Sequence, residues 1–207
     1  MKKIKIDVVA VPLSGHLYPT MNLLAPLLQN PQYEIRLLTG PQKQSVAEAV
    51  GFQVLPILEG HVKEFEKAAN NKEQLGIISA YRQLSASLDL INLVSDQLTQ
   101  EWTNHRPDIV IVDFITLSGG LVAEQMGIPW ITTMATQFAI ETTEGPPCFF
   151  GGMGTPQNSW QVLAQFVGRK TTRLGKRIVT FLLRDRLRRY HFKLYNQKGQ
   201  ETIYSPY

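Results

Sequence analysis

The sequence predicts an α/β protein: an open, doubly wound parallel sheet followed by a basic helical segment. Three observations carry that expectation. Short β-branched apolar runs recur between residues 4 and 134, helix-like stretches separate them, and the alternation stops after residue 140. Strands joined through helices imply right-handed crossovers, and therefore a parallel sheet covered on both faces.

The elements follow in order. Residues 4–11 (IKIDVVAV) begin as a β-branched run and become continuously apolar, as expected of a strand buried on both sides. Pro19 is expected to open a helix carrying Met21, Leu23, Leu24, Leu27 and Leu28, because proline at a first helical position needs no donor. Pro26 should kink that helix or end it early. Residues 33–39 form a second predicted strand, 42–50 a short helix closed by Gly51, and 52–56 a third strand. The stretch 61–104 reads as one short and one long helix. Pro107 precedes a fourth strand at 108–113, a helix at 116–126 stops at Gly127, and 129–134 form a fifth strand. Gly119 and Gly120 in the fourth crossover are expected to allow close packing of helix on sheet. Residues 144–156 carry loop chemistry. Residues 158–195 read as helical, with Gly168 and Gly175 as weak points, and 199–207 match no finished element. A chain ending on Ser205-Pro206-Tyr207 reads as cut rather than completed.

Composition narrows the function. The chain has 207 residues, 43% hydrophobic and 18% charged, enough to bury a sizeable core without crosslinks. A single cysteine, Cys148, excludes an intrachain disulfide framework and a cysteine-rich zinc module, and the histidines at 16, 61, 105 and 191 are scattered, so no metal site is expected. No apolar run approaches the roughly 20 residues needed to span a bilayer. The basic N-terminus lacks the remaining parts of a signal peptide, and a cytoplasmic protein is expected. Charge is unevenly spread: residues 1–150 hold 10 Lys+Arg against 15 Asp+Glu, whereas residues 151–207 hold 11 against 2. An acidic body with a basic end points to an anionic contact near that end. On a helix, Arg173, Arg177, Arg184 and Arg188 form one stripe beside a face of Leu174, Ile178, Phe181 and Leu182. Such a helix can rest peripherally on an anionic membrane, or be a solvated face packed on the body or on a further domain. No aromatic-studded basic motif accompanies the charge, so nucleic acid is not an expected partner.

In open parallel sheets ligands bind beyond the carboxyl ends of the strands, where the strand order reverses. For the order 3-2-1-4-5 the reversal lies between strands 1 and 4. The loop after strand 1 contains Ser14-Gly15-His16, and strand 4 ends at Asp113, so topology brings His16 and Asp113 to neighbouring strand tips. A histidine there can accept a proton, and a carboxylate on its other ring nitrogen fixes the tautomer and stabilises the cation that forms. Ser14 lacks the flanking glycines of a nucleophile elbow, so the proton is expected to come from a bound hydroxyl substrate. Taken singly, His16 reads equally as a helix cap or surface residue, and Asp113 as a cap for the helix from Thr116. Neither the dinucleotide fingerprint nor the P-loop is present, and Gly151-Gly152-Met153-Gly154 follows no clear strand.

These residues resemble a known family. Ser14 to Ala25 (SGHLYPTMNLLA) resembles the G-H-x-x-P-x-x-x-L-A stretch that opens UDP-glycosyltransferases of the GT-B fold. Residues 107–113 (PDIVIVD) and 123–129 (AEQMGIP) resemble the same family's P-D-x-x-x-x-D and A-x-x-x-G-I-P block. The resemblance covers most of residues 4–140 and is to the family that includes the macrolide glycosyltransferases. It implies a Rossmann-like domain, the N-terminal, acceptor-binding half of a GT-B fold. It also implies inverting transfer of a hexose from a UDP-sugar to a hydroxyl of a small lipophilic acceptor, without metal. The UDP-sugar is a co-substrate, and no cofactor is implied.

His16 matches the family's general base and Asp113 its orienting acid. Loops around 57–62, 114–117 and 136–140 would line the acceptor pocket, with Gly15, Phe114, Thr136 and Gln137 as acceptor-binding residues. Residues 1–145 would form the acceptor domain, with 146–207 a loop and basic helix of the same domain. A complete member is longer and carries a donor-binding signature that has no counterpart here. The resemblance therefore implies either a fragment, inactive alone, or a half-enzyme whose donor site lies in a missing C-terminal domain or a partner subunit. A non-catalytic binding or membrane-anchoring subunit of a two-chain glycosyltransferase is the alternative.

Overall fold

A computed structural model describes residues 2–57, 59–61, 77–135 and 154–188. The expected short helix within 61–76, most of the 144–156 loop and everything after 188 lie outside the described residues. The chain divides into two compact units, residues 1–73 with 82–135 and residues 74–81 with 136–207.

The first unit is built on a five-stranded parallel sheet of order β3-β2-β1-β4-β5, the order expected from the sequence. Its strands are β1 (Ile4–Val9), β2 (Tyr33–Thr39), β3 (Gln53–Pro56), β4 (Ile109–Asp113) and β5 (Trp130–Thr133). The crossovers are α1 (Ser14–Leu24), α2 (Gln44–Val50), α3 (Ile77–Asn104) and α4 (Leu117–Gln125). Period-two alternation divides the core between two faces. Ile6, Val8, Ile35, Leu37 and Ile111 pack with Leu17, Met21 and Leu24 of α1 and Ala47 of α2. Val9, Leu38, Val110 and Val112 pack with Val94, Leu98 and Trp102 of α3 and Val122 and Ala123 of α4. Covering on both faces is why the end of β1 and most of β4 read as continuous apolar runs.

Two glycines seat α4 on the sheet. A Cβ on Gly119 would lie 3.1–3.2 Å from Val112 and Val9, and one on Gly120 would lie 2.7 Å from the Trp130 ring. The expected close approach of this crossover is present. Pro26 also acts as expected: α1 ends at Leu24, and residues 25–29 continue as a 3₁₀ turn with the proline near its start.

The start of α1 differs from expectation. It begins at Ser14, five residues before Pro19, which sits inside the helix. Proline near a helix start removes one bond, here to the carbonyl of exposed Gly15, which solvent can satisfy. His16 therefore occupies the first turn of α1 rather than a loop.

In the second unit, α5 (Ser159–Leu182) is followed by a single turn, α6 (Arg184–Leu187). Asn158 caps α5, its side chain accepting from the Gln161 amide at 2.9 Å. Gly168 and Gly175, expected as weak points, lie within an unbroken helix. A glycine costs about 1 kcal/mol in a helix interior, too little to interrupt six turns of amphipathic pattern, and the break comes at Leu183 instead.

Candidate active site

Asp113 is the last residue of β4 and is fully buried, and His16 stands beside it in the first turn of α1 with its side chain 14% exposed. The histidine Nδ1 lies 3.2 Å from Asp113 Oδ1. Neighbouring strands create this juxtaposition. β1 and β4 pair in register through Val9 and Val112, so the chain leaving β1 enters α1 above the tip of β4. Thr20 anchors the turn, its hydroxyl donating to the His16 carbonyl at 2.9 Å.

The alternative roles left open for these residues do not match the geometry. Leu13 is the N-cap of α1, so His16 is no cap, and its ring is largely covered. The Asp113 side chain does not cap α4. Only its backbone carbonyl receives the Thr116 amide, at 2.7 Å.

The electrostatics of the pair are asymmetric. Burial pushes the Asp113 carboxyl above the usual aspartate range, while the charge and hydrogen bond of His16, then the amides of Ile115 and Phe114, oppose it. Asp113 Oδ2 is buried without a hydrogen-bond partner among the described residues, as is the nearby Thr116 hydroxyl. A buried carboxylate whose side-chain partner is an imidazole directs its field toward that ring. With Nδ1–H directed to Asp113, Nε2 carries the free lone pair and can take a proton.

Phe114 follows directly, its ring centroid 5.3 Å from that of His16 at 51°. The Phe114 amide donates to Thr133 of β5 at 3.1 Å, which fixes the loop after β4. Gly15 is exposed, and a Cβ there would meet nothing within 4 Å, so the side of the turn next to the imidazole is open. Thr136 and Gln137 lie outside the described residues, as do Gly151, Gly152 and Met153.

Sequence reasoning missed Lys43. Its ammonium donates to Ser14 Oγ at 3.1 Å and Tyr18 Oη at 3.3 Å, and rests 5.2 Å from the centre of the Tyr18 ring. Lys43, with the Ser14 hydroxyl, holds the exposed Tyr18 phenol below its usual range. Gly40 brings the exit of β2 against the exit of β1, because a Cβ there would lie 2.7 Å from Pro12. A glycine at a strand exit was the available signal. Among the described residues no three His, Cys, Asp or Glu side chains converge to hold a metal ion.

Known proteins can now be compared. No family model matches the chain. Over 134 residues it is 28% identical to the NDP-glycosyltransferase YjiC of Bacillus subtilis (strain 168), a match covering 63% of this chain and 32% of that protein. The chain thus spans about a third of the length of the curated relative it matches. In fold it resembles the glycosyltransferase of kitacinnamycin, with a TM-score of 0.56 and 22% identity over 68% of this chain and 32% of that one. It also resembles CalG4, the calicheamicin glycosyltransferase, with a TM-score of 0.58 and 16% identity over 93% of this chain and 44% of that one. The fold is thus the Rossmann-like α/β fold of these GT-B neighbours, with a basic helix following. In sequence and in fold the chain is similar to glycosyltransferases over about two thirds of its length, consistent with the N-terminal domain its motifs resemble.

Proposed function

We propose that this chain supplies the general base and acceptor pocket of an inverting, metal-independent glycosyltransferase. The donor is a nucleoside-diphosphate hexose, with UDP the expected nucleotide, and the acceptor is a small lipophilic molecule bearing a hydroxyl. The observation that carries the reading is the 3.2 Å contact between His16 and buried Asp113 at the switch point of the sheet. The name of the Bacillus relative, an NDP-glycosyltransferase, supports the donor class.

In the proposed reaction the acceptor oxygen attacks the anomeric carbon as His16 Nε2 removes its proton. The bond from that carbon to the diphosphate oxygen breaks, its electron pair leaves with the nucleotide, and configuration inverts. Asp113 holds the imidazole tautomer and stabilises the imidazolium. Phe114 and the open side of Gly15 would face the acceptor, with Thr136 and Gln137 completing the pocket. The nucleotide would be held by a C-terminal domain or a partner subunit.

In active enzyme, with the donor-binding part in cis or supplied as a separate subunit, His16→Ala should lower kcat by about 10²-fold or more. The fold and acceptor affinity should be retained. Unchanged turnover with an intact fold would remove His16 from the reaction.

A further inference from the structure

The apolar face of α5 is exposed. Trp160, Leu163, Val167, Leu174, Ile178 and Phe181 recur at spacings that place them on one side of the helix, and all are exposed, Trp160 at 80% and Phe181 at 62%. The opposite side, at Gln165, Gly168 and Val179, is buried. Exposed apolar residues scattered singly need no explanation, but a stripe running the length of a 24-residue helix does.

The charge beside this stripe has one sign. Residues 154–188 contain eight Lys+Arg and one acidic residue, Asp185. Two of the cations border the apolar face directly: the Lys170 ammonium lies 5.4 Å from the centre of the Phe166 ring, and the Arg184 guanidinium 4.4 Å from that of Phe181. Both charged groups lie over an aromatic ring, so cation and apolar side chain meet along one edge of the helix. An aromatic residue at each end of the stripe suits a lipid–water boundary. No helix among the described residues is long and apolar enough to cross a membrane, so the chemistry is that of a helix lying in the interface.

We infer that α5 docks on an anionic lipid surface, its Trp160–Phe181 stripe entering the headgroup region while the flanking Lys and Arg side chains meet lipid phosphates. The complementarity of charge selects lipid as the occupant. A second copy of the chain would set the same cationic flank against itself. Because this inference rests on α5 alone, it stands or falls independently of sugar transfer.

The test uses the full chain with vesicles of phosphatidylcholine and phosphatidylglycerol (3:1), and with phosphatidylcholine alone, in a flotation assay. Binding should be at least about tenfold tighter to the anionic vesicles, should weaken on raising salt, and should shift Trp160 emission to the blue. The exposed pair Leu174→Ser with Phe181→Ser, and separately Lys170→Glu with Arg184→Glu, should each reduce binding by about tenfold or more while the circular dichroism spectrum is unchanged. Three results would overturn the inference: no binding to anionic vesicles, equal binding to neutral ones, or binding insensitive to both variants. A lipid-free dimer abolished by the Leu174→Ser and Phe181→Ser pair would assign the face to a second copy instead.

Discussion

The sheet buries two aspartates on adjacent central strands, and they are treated in opposite ways. Asp7 in β1 is grasped on both oxygens by the Arg36 fork, Nε to Oδ1 at 2.9 Å and Nη2 to Oδ2 at 2.7 Å, and the Trp102 indole adds a third bond at 2.8 Å. Arg36 reaches on to Glu101 at 2.6 Å, and its guanidinium is held yet more firmly protonated by Asp7, against the opposing effect of burial. Asp113 in β4 has an imidazole as its side-chain partner, and its Oδ2 has no hydrogen-bond partner among the described residues. A carboxylate bonded on both oxygens ties elements together, here β1, β2 and α3. One left half-satisfied retains reactivity to spend on its neighbour. Burial and residue type are shared, so the partners alone separate the two aspartates.

The sharpest way to break this comparison is to remove one member of the satisfied cluster. Asp7→Ala or Arg36→Ala should destabilise the chain by about 3–5 kcal/mol, since either leaves a buried charge without its partner. Urea unfolding monitored by Trp102 fluorescence would measure it, and a loss under about 1 kcal/mol would make the cluster dispensable. The equivalent change at the other site should act on rate. In active enzyme Asp113→Asn should lower kcat by about tenfold or more, with little change in acceptor affinity, because the tautomer and its cation lose their support.

The smallest effect has the opposite sign in stability. Burial raises the Asp113 carboxyl above its ordinary range, so the folded state disfavours the ionised form. Such a group contributes stability that is complete below the unfolded aspartate value of about 3.9 and is lost as pH rises through the higher folded value. Asp113→Asn should therefore gain stability relative to the parent between pH 4 and pH 7, a gap that Tm measurements at both pH values would reveal. A variant less stable at pH 7 than at pH 4, relative to the parent, would mean that His16 outweighs the burial.

The parallel sheet was legible because apolar runs such as Val8–Val9 and Ile109 to Val112 suit a sheet covered on both faces, and its order is the common one for five doubly wound strands. The pairing of His16 with Asp113 was legible for the same reason, since the switch point follows from strand order. The Asp7–Arg36 pair was not seen, although the two residues are directly opposite in the β1–β2 register. Each is one of two charges in its strand, beside Lys5 and Glu34 respectively, and only the register shows that they meet. The start of α1 was misplaced because Pro19 carries a strong local signal for a helix beginning, while the packing of Leu17 into the core holds a turn of helix ahead of it.

Local chemistry by itself therefore determined the strands and the doubly covered sheet that sets His16 beside Asp113, because periodicity and burial leave few arrangements for such a pattern. Tertiary structure decided which aspartate is bonded on both oxygens and which keeps an oxygen without a partner among the described residues, and that the apolar side of α5 is exposed. Both depend on distances between residues far apart in the chain, which follow from how helices and strands pack and are not encoded in the identity of any single side chain.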